Sequence, residues 1–320
     1  MTATGPVSGG VATSGDLADV GGRDRPANLW RDTGASILRQ RSAVVGLILL
    51  SLLVLMAVFA PIIATHDPNK SLLGVEKGVK QRSAPCIHIL GCPEDQPQHL
   101  LGTDGNVRDV FSRVVFGART SLTVGITAVL FAIVIGTAIG AIAGYLTGWP
   151  DNGLMRLMDV LLAFPSLLLA IAIVTAVGRS LFNALLAIAI VSIPVYARLA
   201  RSAVLATREQ DFVTASKALG ESSVGILVRR IMPNSLTPLI VQGTLDIGAA
   251  VLGIAALAFI GVTGDLSNPE WGSMIGFERS QLFIAPHVIL APGLAITITV
   301  LAFNLIGDGL RDALDPRLNR

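Results

Sequence analysis

The stretch Arg208–Pro233, REQDFVTASKALGESSVGILVRRIMP, is a polar island between two long apolar segments. Its apolar residues Phe212, Ala215, Leu219, Ile226 and Leu227 recur at about helical spacing. Polar and charged residues fill the other faces. Gly220 interrupts the pattern, and Pro233 ends it just before the next apolar run. A short amphipathic helix held between two membrane spans can dock on a soluble partner. The competing reading is a loop helix lying on the membrane surface.

The composition around this island sets the class. Of 320 residues, 52% are hydrophobic and 14% charged, whereas soluble domains carry about 25% charged residues. A polytopic membrane protein follows. The net charge of +2 comes without a basic stripe or interleaved aromatics, so no nucleic-acid partner is expected. Six apolar runs are long enough to span a bilayer, roughly 43–64, 121–146, 154–177, 181–200, 236–262 and 288–306. In lipid each must satisfy its own backbone hydrogen bonds, so each is read as a helix. The expected fold is therefore all-α, with six transmembrane helices. The first run starts only after residue 42 and lacks a clear small-residue cleavage site, so it is read as a retained span rather than a signal peptide. Residues 1–25 are rich in Gly, Ala, Ser, Thr and Asp and are expected to be disordered.

Basic residues orient the spans. Arg23, Arg25, Arg31, Arg39 and Arg41 precede the first span, and Arg156 lies in a later turn on the same side. Arg198, Arg201, Arg208, Lys217, Arg229 and Arg230 flank the island, and Arg311, Arg317 and Arg320 follow the last span. This places the island and both termini in the cytoplasm, and segment 65–119 outside. Cys86 and Cys92 are the only cysteines, and both fall in that outer segment. An oxidising compartment favours a disulfide between them. Free thiols are an alternative, as is a metal site using the nearby His88 and His99.

The island resembles the coupling segment of importer-type ABC transporter permeases, whose pattern is E-A-A, three residues, Gly, nine residues, then I-x-L-P. Here it reads Thr214-Ala215-Ser216, Gly220, then Arg230-Ile231-Met232-Pro233. Ala, Gly and Pro match, while Thr214 stands at the signature Glu. LGTDGNVRDVFSRVVFGARTSL (Leu101–Leu122) is similar to the LGTD-x-x-GRD-x-x-SR-x-x-x-GAR-x-SL of C-type dipeptide/oligopeptide permeases, with Val107 in place of a Gly. Ala143–Ala170, Tyr196–Leu205, Met232–Gln242 and Pro292–Arg317 fit the same subfamily.

The resemblance implies a five-helix permease core (residues 120–310) with the first span, 43–64, added outside it. A segment of residues 1–42 precedes that span, and a tail of residues 311–320 closes the chain. It also implies partners: a similar B-type permease subunit, two cytoplasmic ATPase subunits that bind ATP and Mg, and an extracytoplasmic solute-binding protein. The chain itself contains no Gly-Lys dipeptide, hence no phosphate-binding loop of the G-x-x-x-x-G-K-[ST] type. No cofactor and no metal are expected in it. The coupling helix, residues 209–225, would present Phe212, Ala215 and Leu219 as an apolar face and Glu209, Asp211, Lys217 and Glu221 as a polar rim. Gly220 is either a bend point or a helix cap.

Other residues invite a role. Asp246 sits about 15 Å into the fifth span, near the midplane. Intramembrane acids usually face a cavity or a partner, so it is a candidate for the pathway or for an interhelical hydrogen bond. Gly136, Gly140, Gly144 and Gly148 repeat every four residues, a ridge for close helix packing. Pro165 and Pro194 are candidate kinks. Arg156 and Asp159 are spaced to pair. Asn304 is placed to bond across helices, and Asp308, Arg311, Asp312 and Asp315 to meet an ATPase subunit or solvent. Trp149 and Trp271 read as aromatic anchors at opposite interfaces. No nucleophile, base and orienting group come together, so no catalytic residues are expected. Two functions remain, an ATP-driven importer permease for peptides or peptide-like solutes and an ion-gradient-driven secondary transporter.

Overall fold

The computed structural model describes residues 38, 40–76, 78–93, 95–264 and 268–314. The expected disorder of residues 1–25 falls outside the described residues. So do Arg23, Arg25, Arg31, Arg39, Asp315, Arg317 and Arg320. Helix α1 is Arg41–Val58 and α2 is Val110–Leu146. Then come α3 (Trp149–Leu162), α4 (Ser166–Val177) and α5 (Leu181–Arg208). A short α6 (Asp211–Ala218) leads to α7 (Met232–Ile260), and α8 (Trp271–Glu278) and α9 (Pro286–Leu314) complete the chain.

Five segments are long and apolar enough to cross a membrane: α1, α2, α5, α9 and the run Ser223–Ile260 that contains α7. The third expected span, 154–177, is not one helix. It divides into α3 and α4, bent by 92°, and only the pair together makes a sixth crossing. Pro165 is the cause. It has no N–H to give and excludes the preceding Phe164 from helical geometry, so the chain turns there and Pro165, extended at ψ 124°, opens α4.

Helix α2 begins earlier than the apolar run that announces it. Asp109 caps it, accepting from the Ser112 backbone N–H at 2.7 Å, so the helix starts at Val110 rather than near residue 121. Its 37 residues make a rod of about 55 Å, well beyond the roughly 30 Å of hydrocarbon. A boundary at residue 120 therefore cuts through a helix, and the motif Leu101–Leu122 forms its extramembrane start.

Helices α2 and α5 meet along the glycine ridge. A Cβ on Gly140 would lie 2.1 Å from the Ala197 carbonyl oxygen, and one on Gly136 2.6 Å from the Tyr196 Cβ. Gly144 faces the Arg201 carbonyl in the same way. Gly148 does not belong to the ridge. It lies past the helix end, at φ +70°, with open space around its Cα. Tyr196 and Ala197 are fully buried at this seam.

A second core joins α1, α2, α7, α8 and α9 around Trp271 and Phe303. Trp271 is not an interfacial anchor. It is wholly buried and donates its indole N–H to the Val114 carbonyl at 3.0 Å. Trp149, 88% exposed, does sit at the surface. Helix α1 lies on α9, where Gly46 and Gly309 allow backbone contact. The outward faces carry Leu52, Leu130 and Leu294, each more than half exposed, as a lipid-facing surface requires.

The segment between α1 and α2 is irregular, pinned by two isolated bridges, Cys86 with His99 and Thr103 with Asp109. A disulfide joins Cys86 to Cys92.

Candidate functional site

The island between α5 and α7 folds as two pieces, not as one helix through Gly225. Helix α6 ends at Ala218, and Gly220 takes the left-handed conformation at φ +79°. The Glu221 N–H then reaches the Ser216 carbonyl at 3.1 Å, and the Gly220 N–H the Lys217 carbonyl at 3.0 Å. These two bonds are a Schellman closure. Gly220 is thus a helix cap in this structure. Ser222 restarts the chain by accepting from the Gly225 N–H, and a π-helical turn, Ile226–Ile231, feeds into α7.

Helix α6 has two faces. Val213 is fully buried and Ser216 nearly so. Val213 packs with Ala141, Val204, Ile226 and Ile231, which fastens the segment to the bundle. The other face points away from the chain's own core. Phe212 is 38% and Leu219 87% exposed, and Ala215, Asp211 and Lys217 are exposed beside them. The sequence pattern found this outer face but missed the inner one. It also counted Ile226 and Leu227 in the same apolar spacing, whereas Ile226 is a buried residue of the following turn. Glu209 is exposed and takes a hydrogen bond from the Arg208 Nε at 2.9 Å. Glu221 pairs with Arg230 at 3.1 Å.

The supports of the segment were not legible as pairs. Arg201 of α5 makes a two-pronged bond to Asp151 of α3, at 2.6 and 2.7 Å, with Asp151 almost fully buried. Arg208 donates to the Gly144 and Tyr145 carbonyls at 3.3 and 3.2 Å, capping the C-terminal end of α2 where carbonyls lack helical partners. Thr207 and Ser235 share a hydroxyl contact at 3.2 Å, linking α5 to α7. Asp159 does not pair with Arg156. Its partner is Arg198, at 2.5 Å across two helices. In α9, Asp312 accepts from the Gln40 amide, while Asp308, Arg311 and Asn304 are exposed.

Asp246 is half-buried on α7 and tied on both sides. The Tyr196 hydroxyl of α5 donates to Oδ2 at 2.7 Å, and the Gln242 amide to Oδ1 at 2.9 Å. An acid in the middle of the bundle thus cross-links the two helices that flank the island.

The opposite end of the molecule holds a knot of buried charges. Glu278, 1% exposed, accepts from the Gly105 N–H at 2.6 Å and the Arg82 Nε at 2.8 Å. Asp104 accepts from Arg108 at 2.8 Å and stands 3.7 Å from Arg113. The LGTD motif is the scaffold of this knot.

Apolar spans, a bent pair and a returning amphipathic segment anchored by its own inner face define a multi-span membrane permease. The fold matches a chain of the MetNI methionine ABC transporter in an inward-facing form, with TM-score 0.53 and 18% identity, over 64% of this chain and 98% of that one. The family model for the binding-protein-dependent transport system inner membrane component matches residues 136–320, and that for the N-terminal TM domain of oligopeptide transport permease C matches 28–85. A dipeptide transport system permease of Alkalihalophilus pseudofirmus is 44% identical, covering 90% of each chain. A di/tripeptide permease of Pseudomonas aeruginosa is 42% identical over 88% of this chain and 90% of its own length, and a glutathione permease of Escherichia coli is 40% identical over 92% and 93%. The chain belongs to the binding-protein-dependent inner membrane component family, as a C-type ABC permease subunit. It is therefore the permease of an ATP-driven importer, not a secondary transporter.

Proposed function

We propose that this chain forms one half of a translocation pathway for dipeptides, oligopeptides or related peptide-like solutes, pairing with a B-type permease subunit. The names of its relatives support peptides as the solute class. A solute-binding protein would deliver the substrate from outside, and two ATPase subunits, holding ATP and Mg, would drive the cycle. The chain itself would catalyse nothing. Basic residues around the island support a cytoplasmic location for it and for both termini.

The observation that carries this reading is the outward face of α6. Phe212, Ala215 and Leu219 present exposed apolar surface, and Asp211, Lys217 and Glu209 ring it. That is the anatomy of a small docking face, with an apolar centre and a polar rim. Val213 packs the same element against α2 and α5, and Arg201 and Arg208 tie α5 in turn to α3 and α2. Movement of a docked ATPase would thus pass into the bundle rather than be lost in a loose loop. Two packings of α5 and α7 close in energy are needed, with ATP favouring one.

Co-purification tests it. Leu219→Asp should leave the membrane bundle folded, because Leu219 is 87% exposed, and should abolish retention of the ATPase subunits and ATP-dependent uptake. Full retention of both subunits by Leu219→Asp and Phe212→Asp would overturn this role for α6.

A further inference from the structure

A second cluster lies at the far end of the molecule, in the irregular segment ahead of α2. The rings of His66 and His99 lie with centroids 5.0 Å apart, tilted by 38°. His99 is only 2% exposed, and its Nδ1 lies 3.0 Å from Asp109 Oδ1. Asp109 is itself fully buried, and its other oxygen is filled by the Ser112 N–H and hydroxyl at 2.7 and 2.6 Å. An acceptor-only carboxylate at that edge fixes the proton on Nδ1 and leaves a lone pair on Nε2. That Nε2 is buried and makes no hydrogen bond. Facing it at 3.3 Å is Glu76 Oε2, equally buried and equally without a hydrogen bond. The other oxygen of Glu76 lies 3.1 Å from the His66 Nε2.

One carboxylate thus looks onto two imidazole nitrogens: the 3.1 Å pair with His66 is a hydrogen bond, while the 3.3 Å pair with His99 is not in hydrogen-bonding geometry. Two orphaned buried polar atoms are destabilising, so a partner that both can use is the economical explanation. In a tetrahedral site with bonds near 2.0 Å, neighbouring ligand atoms lie about 3.3 Å apart, close to the separations found here. A histidine that gives its far N–H to a carboxylate is also the arrangement by which proteins orient metal-binding imidazoles.

We propose that His66, His99 and Glu76 bind a divalent first-row transition metal ion, zinc by ligand chemistry, with Asp109 orienting His99 from behind. Two imidazoles and a carboxylate are a ligand set zinc accepts, leaving a fourth position for water. Asp109 stays outside the first ring of ligands because both its oxygens are already engaged. His66, whose side chain is 21% exposed, provides the way in. His88, whose Nε2 is engaged by the Gln96 carbonyl, takes no part. The ion would fasten the segment that leaves α1 to the loop carrying Cys86 and to the capped start of α2. This site stands apart from α6 and does not depend on the transport reading.

The full-length protein in detergent, stripped with chelator and dialysed against limiting zinc, tests the site by metal analysis. Wild type and His88→Ala should retain stoichiometric zinc and show a higher thermal midpoint with the ion than without it. Glu76→Gln and His66→Ala should each weaken zinc binding by about tenfold or more and lose that thermal gain. Both variants replace part-exposed side chains. Cobalt substitution adds an optical readout, since tetrahedral cobalt absorbs far more strongly than the octahedral aquo ion. Wild-type protein that keeps no zinc, or variants that bind it as tightly as wild type, would overturn the proposal.

Discussion

At the residue scale, single buried polar groups do more than their sequence positions suggest. Asp246 is the clearest, because its two bonds make it both a tie between α5 and α7 and a charge inside the bundle. The two roles separate by substitution. Asp246→Asn keeps an oxygen for the Tyr196 hydroxyl and removes the charge. Asp246→Leu strands that hydroxyl, at about 1–3 kcal/mol. We expect Asn to give normal yields of folded protein and reduced peptide uptake, and Leu to reduce both. Uptake by Asp246→Asn equal to wild type would confine the residue to the interhelical bond.

Glu270 makes a different point. It caps α8, accepting from the Gly272 and Ser273 N–H groups at 2.8 and 2.7 Å. Burial nonetheless pushes its carboxyl above the ordinary value of 4.5, outweighing the opposing hydrogen bonds. A raised folded-state value means that the folded chain prefers the protonated acid. Stability from this group is therefore fully present below pH of about 4.5 and is lost as pH rises through the raised value. Glu270→Gln should flatten that decline, measured as the thermal midpoint across pH from about 4.5 to 8. An unchanged pH slope would remove Glu270 as its source.

At the element scale, the amphipathic pattern of Phe212, Ala215 and Leu219 located the outer face of α6, and the glycine spacing located the α2–α5 seam. Three of the four ridge glycines meet backbone or Cβ atoms of α5, whereas Gly148 had the right spacing on the wrong side of a helix end. Spacing cannot see where a helix stops. The same blindness joined α3 to α4, since an apolar run reads alike whether straight or bent at Pro165. Gly220 is legible in kind but not in use. Nothing lies within 4 Å of a Cβ built there, so only its positive φ excludes other residues. Gly220→Ala should therefore cost roughly 1–2 kcal/mol locally, visible as faster amide exchange across α6, with the bundle's own unfolding unchanged. Loss of the whole fold would mean that the cap does more than end one helix.

At the scale of the whole molecule, the extramembrane knot joins parts far apart in the chain. Arg82 of the irregular segment and Gly105 of the LGTD motif both bind Glu278 at the end of α8, 196 and 173 residues away. Removing one partner of a buried pair leaves the other charge stranded. Arg82→Ala should lower stability by about 2–3 kcal/mol, with the part-exposed Arg82 at the lower end of the usual cost. Thermal unfolding in detergent would show it, and Arg82→Lys should recover part of the loss. An unchanged midpoint would mean that the knot does not hold this end together.

By itself the sequence determined the class, the number of apolar runs, the outer face of α6 and, through its ordered motifs, the family. Those properties are local or periodic. Hydrocarbon forces each apolar run to close its own hydrogen bonds, and a helix face repeats every few residues. Only the tertiary structure decided that Trp271 is core, that Asp159 answers Arg198, that Asp246 meets Tyr196 and that His66, Glu76 and His99 converge. Each of these joins residues whose separation along the chain carries no period, so the partner is chosen by how helices cross and loops return.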